Sequence, residues 1–265
     1  GLSGIAKDLT KMSAKSALKL LAPHNRNSWL LKWVAILTGS KNTLKGVGFF
    51  FGGLLLARAG FTAALWVMTA LLALALIPVG LYLSAGLGVP KVKITATEIF
   101  AKSRAINMLS AARFFLFGAR DIWFVVALPL FLYENLGLGF SGVGGLMALW
   151  VIGYGLVQSF APLVIRKSAD GRSREVRDSR RWLSLLAVIT FLMVFGLMAA
   201  LPAAYVILVG LAAFGAVFAV NSSLHSYLIL ALTEDDRVAL NVGFYYSANA
   251  GGRLLGTLLS GLVYQ

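Results

Sequence analysis

Cysteine is absent from the 265-residue chain, which excludes disulfides, thiolate metal sites and cysteine nucleophiles. Histidine is nearly absent. His24 and His225 stand too far apart for a metal motif, so neither a metal nor another cofactor is expected. Charge is scarce as well, 13% of residues against the ~25% usual in soluble domains. Acids are the scarcest charges, 10 against 24 Lys and Arg, for a net charge of +14. In a soluble protein that excess would point toward nucleic acid. Here most of the chain is apolar, and the lipid bilayer rather than nucleic acid is the expected partner. No initiator methionine or signal peptide precedes Gly1, and the chain stops abruptly at Gln265, so it reads as a fragment lacking helices at both ends.

Hydrophobic residues make up 59% of the sequence, and mean hydropathy is +0.83. The apolar runs are Leu30–Ala57, Phe61–Ser84, Ala111–Tyr133, Val143–Ile165, Trp182–Leu201, Ala203–Leu230 and Leu240–Tyr264. Each is near the ~20 residues that cross a bilayer as a helix. The more polar Leu2–Leu21 precedes them, giving about eight expected helices. No run alternates with the period of two that a membrane barrel requires. The expected class is an all-α polytopic membrane protein. Alternate connections are basic: Lys19, Arg26 and Lys32; then Lys91, Lys93, Lys102 and Arg104; then Arg166 to Arg181. The connections between them are short and nearly uncharged, so the basic ones are expected on the cytoplasmic side. The longest, Val89–Arg104, divides the chain into residues 1–88, a linker 89–104 and residues 105–265.

Within the helices stand Lys7, Asp8, Lys11, Lys15, Lys41, Lys45, Arg113, Arg120, Asp121 and Arg253. Eight of these are cations, and facing lipid they would together cost on the order of 20–28 kcal/mol. They must instead face a polar cavity, one another or the membrane surface. Lys7, Lys11 and Lys15 step by four along one helix face, and Lys41 and Lys45 lie one turn apart. Arg113 and Arg120 return to nearly the same direction after seven residues. Adjacent side chains diverge, so Arg120 and Asp121 are expected to pair with a neighbouring helix rather than with each other. Two acids against eight cations leave six positive charges, an excess that calls for an anionic visitor. Arg grips oxyanions in a bidentate fork and Lys adds a mobile point charge. The expected cargo is therefore a small polyanion. Phe61–Ser84 and Trp182–Leu201 hold no charge and are expected at the lipid-facing periphery. Gly48 to Gly52 and Gly252 to Gly256 have the spacing that lets helices pack closely.

The stretches 4–16, 32–42 and 45–49, with Ser103–Asn107, Phe117-Gly-Ala-Arg-Asp-Ile-Trp123 and Ala250-Gly-Gly-Arg-Leu-Leu-Gly256, resemble the organoarsenical efflux permeases of the major facilitator superfamily. That resemblance implies a major facilitator fragment running from the fourth to the eleventh of twelve helices. Residues 1–88 would hold helices 4–6 of the N-terminal bundle and residues 105–265 helices 7–11 of the C-terminal one. It implies a monomer of the bacterial inner membrane that exports 1-arseno-3-phosphoglycerate, confers arsenate resistance and works beside a glyceraldehyde-3-phosphate dehydrogenase. It is not expected to be an enzyme. Substrate binding would fall to Lys7, Lys11, Lys41, Lys45, Arg113, Arg120 and Arg253, with Asn249 and Tyr245 donating hydrogen bonds. Asp8, Asp121, Asp170 and Arg172 would serve coupling or gating, and Asp170-Gly171-Arg172 is similar to the gating loop of major facilitators.

Other readings stand beside these. Leu2–Leu21 also suits an interfacial basic helix on anionic lipid. Arg113 is close enough to the start of its span to snorkel to the surface. Asp121 reads either as a structural partner or as a proton carrier, and proton antiport, anion exchange and downhill flow all remain open. His225 with Ser222, Ser223 and Ser226 lacks a nearby acid and a nucleophile elbow, so it reads as a packed polar helix end. The same cations would also serve a transporter for sugar phosphates, phosphonates or lysolipids, or an anion channel.

Overall fold

The computed structural model describes residues 2–23, 27–82, 103–166, 168–234 and 237–263, with the backbone alone at residues 2–8, 57 and 140. All regular structure among them is helical: α1 (Leu2–Leu21), α2 (Asn27–Tyr82), α3 (Arg104–Phe124), α4 (Ala127–Glu134), α5 (Phe140–Phe160), α6 (Ser173–Met198), α7 (Ala203–Ala231) and α8 (Val238–Val263). Residues 83–102, which hold most of the basic linker, lie outside the described set. Five stretches are long and apolar enough to cross a membrane: Arg58–Tyr82, Arg104–Glu134, Ser141–Leu163, Ser173–Met198 and Ala203–Ala231. This is the character of a multi-pass membrane protein.

Two helical stretches are interrupted, each for a local reason, the first between the expected runs Leu30–Ala57 and Phe61–Ser84. α2 breaks at Gly60, whose φ of 76° and ψ of 173° suit glycine and almost no other residue. The break separates an arm that begins at Asn27 from the charge-free arm that ends at Tyr82. The expected span Ala111–Tyr133 bends between α3 and α4 at Val125 and Val126. Pro129 has no N–H to donate to the Val125 carbonyl, and its ring excludes that carbonyl from a regular helix. The backbone N–H of Ala127 is freed by the bend and donates to Ser260 Oγ of α8 at 3.3 Å.

α7 is the central element, and almost every residue from Val217 to Ala231 is buried. The two charge-free arms are the least buried of the five spans, 6% and 11% of their apolar windows against 28–50% for the others. They present their side chains outward, as their composition requires in lipid. α1, the first arm of α2 and α8 are not among the five apolar spans. They carry Lys11, Lys15, Lys41, Lys45, Asn249 and Arg253, and they pack on partners: α1 on α8, α2 on α5 and α7, α3 on α8. Helices too polar to face hydrocarbon on every side are thus turned toward one another.

Glycine sets the closest approaches. A methyl group on Gly252 would overlap the Phe114 carbonyl, and one on Gly256 would overlap the Gly118 carbonyl, so α3 and α8 touch backbone to backbone. The α2–α5 seam is built likewise from Gly39, Gly46 and Gly155. Among the described residues Gly48 and Gly52 meet nothing within 4 Å, so that glycine pair makes no seam with them. Gly252→Ala is expected to destabilise the fold by the ~1–3 kcal/mol typical of overpacking. Gly48→Ala should be neutral or should stabilise by up to ~1 kcal/mol, because helix propensity alone is at stake there. Unfolding temperatures of the two variants in detergent check both expectations.

Candidate functional site

The buried stripe of α3 carries Ser110, Arg113, Phe117, Asp121 and Phe124. Arg113 is 5% exposed, so it does not snorkel to a surface. Its Nε donates to Asn249 Oδ1 of α8 at 3.0 Å, and its Nη1 donates to Ser222 Oγ of α7 at 3.0 Å. The guanidinium lies 3.8 Å from the centroid of the Phe117 ring and 5.2 Å from that of Tyr245. Every one of these partners is neutral.

Ser222 belongs to a longer relay. Gln158 of α5, itself fully buried, donates from Nε2 to the same Ser222 hydroxyl at 3.3 Å. Asn42 of α2 donates to Gln158 Oε1 at 2.6 Å, and Ser223 Oγ donates to the Gln158 carbonyl at 3.1 Å. Five helices (α2, α5, α7, α3 and α8) are thereby joined through uncharged polar groups. His225 lies three residues beyond Ser222 on α7, and among the described residues its Nδ1 has no hydrogen-bond partner.

α1 brings a second buried cation to the same place. Lys15 is 3% exposed, and among the described residues its ammonium makes no hydrogen bond. Its Nζ sits 5.2 Å from the centroid of the Tyr246 ring, where the π face supplies partial compensation. Lys11, one turn earlier, lies 5.9 Å from the same ring. The positive charges that act on Lys15 come from Arg113, Lys41 and Lys11. Buried cations from α1 and α3 therefore stand beside α7 and α8. Lys15 and Arg113 are closed to solvent there, and Lys41 stands at the exposed edge.

The remaining expected site residues form separate groups. Asp121 is fully buried and is shared by two arginines. Arg120 Nε donates to Oδ1 at 2.7 Å, and Arg253 Nε of α8 donates to Oδ2 at 2.9 Å. Asp121 pairs with a neighbouring helix as expected, through Arg253, but Arg120 and Asp121 also pair with each other, which was not expected. Arg120 folds its long stem back along the helix and stacks near Phe117, Phe218 and Phe124, 4.7, 5.1 and 5.7 Å from their centroids. The structure thus places Arg120, Asp121 and Arg253 in a clamp between α3 and α8 in which one carboxylate serves two arginines. Lys45 is exposed, its Nζ 5.2 Å from the centroid of the Phe49 ring. The side chains of Lys7 and Asp8 lie outside the described residues.

Asp170 works locally. Its carboxylate accepts from the backbone N–H groups of Arg172 and Ser173 at 3.1 and 3.2 Å and from the Ser173 hydroxyl at 3.0 Å. The hydroxyl of Ser168, with these donors, holds the exposed carboxyl well below the usual carboxylate range. Arg172 is exposed. The Gly171 carbonyl accepts from the Tyr227 hydroxyl of α7 at 2.8 Å. A side chain on Gly171 (φ 63°) would collide with Asn27 at the start of α2. The loop before α6 is therefore seated between α2 and α7.

The chain matches no family model, no curated protein and no solved structure.

Sequence reasoning that selected Lys11 and Lys41 passed over Lys15, although Lys15 continues the four-residue ladder. Gln158 and Asn42 were also missed. Their signal was an amide inside an otherwise apolar helix, a position at which a polar group needs a partner. Of the selected residues, Arg113, Asn249 and Tyr245 meet directly, and Lys11 lies beside Tyr246, the ring next to Tyr245.

Opposite responses are expected from the two groups. Lys15→Met removes a buried like charge and should raise the unfolding temperature by a few degrees, each ~1 kcal/mol corresponding to ~2–4 °C at this size. Asp121→Asn leaves the buried Arg120 without its carboxylate and should destabilise by about 3–5 kcal/mol. Thermal unfolding of both variants checks the contrast; a destabilised Lys15→Met would show that Lys15 is already compensated.

Proposed function

We propose that the chain is part of a membrane transporter of the major facilitator type that binds a multiply charged organic anion at the Lys15–Arg113 cluster. The observation that carries this reading is the burial of two cations whose hydrogen-bond and ring contacts are all neutral. Leaving such charges in a low-dielectric bundle is costly, and an oxyanion between them would offset that cost through charge-assisted hydrogen bonds. The neutral relay through Gln158 and Ser222 holds Arg113 in place without cancelling its charge. The contributing helices come from both sides of the linker, α1 and α2 before it and α3, α7 and α8 after it. A site shared by two halves is what alternating access exploits, since rocking one half against the other opens the site to one side at a time. In this reading eight spans, the fourth to eleventh of twelve, cross the bacterial inner membrane, and cargo enters from the cytoplasm.

The specific cargo we propose is 1-arseno-3-phosphoglycerate, made when a glyceraldehyde-3-phosphate dehydrogenase uses arsenate in place of phosphate. Its phosphoryl, carboxyl-derived and arsenyl oxygens match a set of separated cations. The cluster selects by charge and shape, so another phosphorylated organic anion is the alternative within the same reading. The clamp at Asp121 supports a structural role for that residue and leaves the energy source to gradients acting on the anion.

Two measurements test this. Purified full-length protein should be stabilised against heat by 3-phosphoglycerate, by about 2–3 kcal/mol near 100 times Kd, and the stabilisation should vanish in Lys15→Met and Arg113→Gln. Equal stabilisation by a monocarboxylate or an organic cation would remove the polyanion reading. Cells carrying the full-length gene should survive arsenate only when the dehydrogenase is also present. Survival without it would remove the arsenylated cargo while leaving the polyanion reading intact.

A further inference from the structure

Where α5 ends and α6 begins, a hollow of about 260 Å³ is lined by Val164, Arg166, Asp178, Arg181, Trp182 and Leu185. It lies at the edge of two apolar spans. Ser141–Leu163 stops three residues before Arg166, and the apolar part of α6 starts at Trp182, just after Arg181. Both arginines are exposed, and Arg181 donates to Asp178 Oδ1 at 3.1 Å, which leaves the hollow with a net positive charge from Arg166. Arg174, Arg177 and Arg180 add a positive field along the first turns of α6. On the other side Leu163 is 83% exposed and Val164 56%, so apolar surface continues directly from the charged rim toward the membrane. A tryptophan at such a boundary is typical of the headgroup level of a bilayer.

We infer that this corner binds the phosphodiester headgroup of an anionic phospholipid, with Arg166 and Arg181 on the phosphate, Trp182 at the glycerol level and the acyl chains along Leu163, Val164 and Leu185. Clusters of arginine beside a membrane-spanning helix attract anionic lipid, and the fork of the guanidinium suits phosphate oxygens. The concave wall and the adjoining apolar strip distinguish this corner from a merely basic surface. The inference rests on the membrane reading of the fold and not on the Lys15–Arg113 cluster, so Lys15→Met should leave it unchanged.

The test is native mass spectrometry of the full chain released from phosphatidylcholine nanodiscs containing phosphatidylglycerol. Wild-type protein should retain phosphatidylglycerol over phosphatidylcholine, and Arg166→Ala/Arg181→Ala should lose at least five-fold of that preference. Arg177→Ala/Arg180→Ala should lose less than two-fold. Asp178→Asn, which frees Arg181, should strengthen retention. Loss of equal size in the two double variants would show a diffuse surface charge and overturn the site. Displacement of the lipid by glycerol 1-phosphate at equal concentration would assign the corner to a free phosphate and overturn the lipid assignment.

Discussion

Lys15 and Arg113 are held inside the helical bundle by neutral partners, and the arrangement around them answers the problem this creates. A buried cation without a carboxylate tends to pull water in, to shed its proton or to loosen the packing. The bundle counters with ring faces and amide and hydroxyl oxygens. Phe117 lies under the Arg113 guanidinium, Tyr246 faces Lys15, and Asn249 and Ser222 accept from Arg113. None of these removes the charge. They fix its position while leaving its field available.

The same constraint orders the helices. An arm with no charge, such as the one ending at Tyr82, needs nothing from its neighbours and is turned outward. α1, the first arm of α2 and α8 cannot be turned outward on every side, and they converge. Glycine makes the convergence tight enough for short polar side chains to reach across. Asn42 reaches Gln158 at 2.6 Å where Gly39, Gly46 and Gly155 bring α2 against α5. The relay is therefore a product of the seam, and the seam is a product of residues without side chains.

Helices and their outward or inward disposition were legible in the sequence because hydropathy reports them directly. The eight helical stretches, the break near Arg58 and the peripheral place of the two uncharged runs all follow from where apolar residues lie and where they stop. The bend before Pro129 was legible in principle, since proline states its own constraint. Side-chain pairing across helices was not. That Gln158 meets Ser222, or that Gly155 rather than Gly48 meets α2, depends on helix rotation and crossing, which a single sequence does not encode locally. Arg120 shows the limit from the other side. Neighbouring Cβ atoms on a helix do diverge, yet a stem as long as that of arginine can curl back far enough to reach Asp121.

The position of Asp121 then explains how one helix carries both an arginine with a carboxylate partner and one without. On α3 it stands eight residues from Arg113, about 12 Å along the axis at 1.5 Å per residue. The Phe117 ring fills the interval, 3.8 Å from the Arg113 guanidinium carbon and 4.7 Å from that of Arg120. The carboxylate is thereby confined to Arg120 and Arg253, where its two oxygens are already engaged. A smaller residue at position 117 would remove the ring face from both guanidinium groups and let the arginines shift. Phe117 thus acts as a spacer that both arginines touch, between the charge network that joins α3 to α8 and the Arg113 guanidinium. One helix therefore carries a salt-bridge clamp and, about two turns away, an arginine whose partners are all neutral, with one aromatic ring in contact with both arginines.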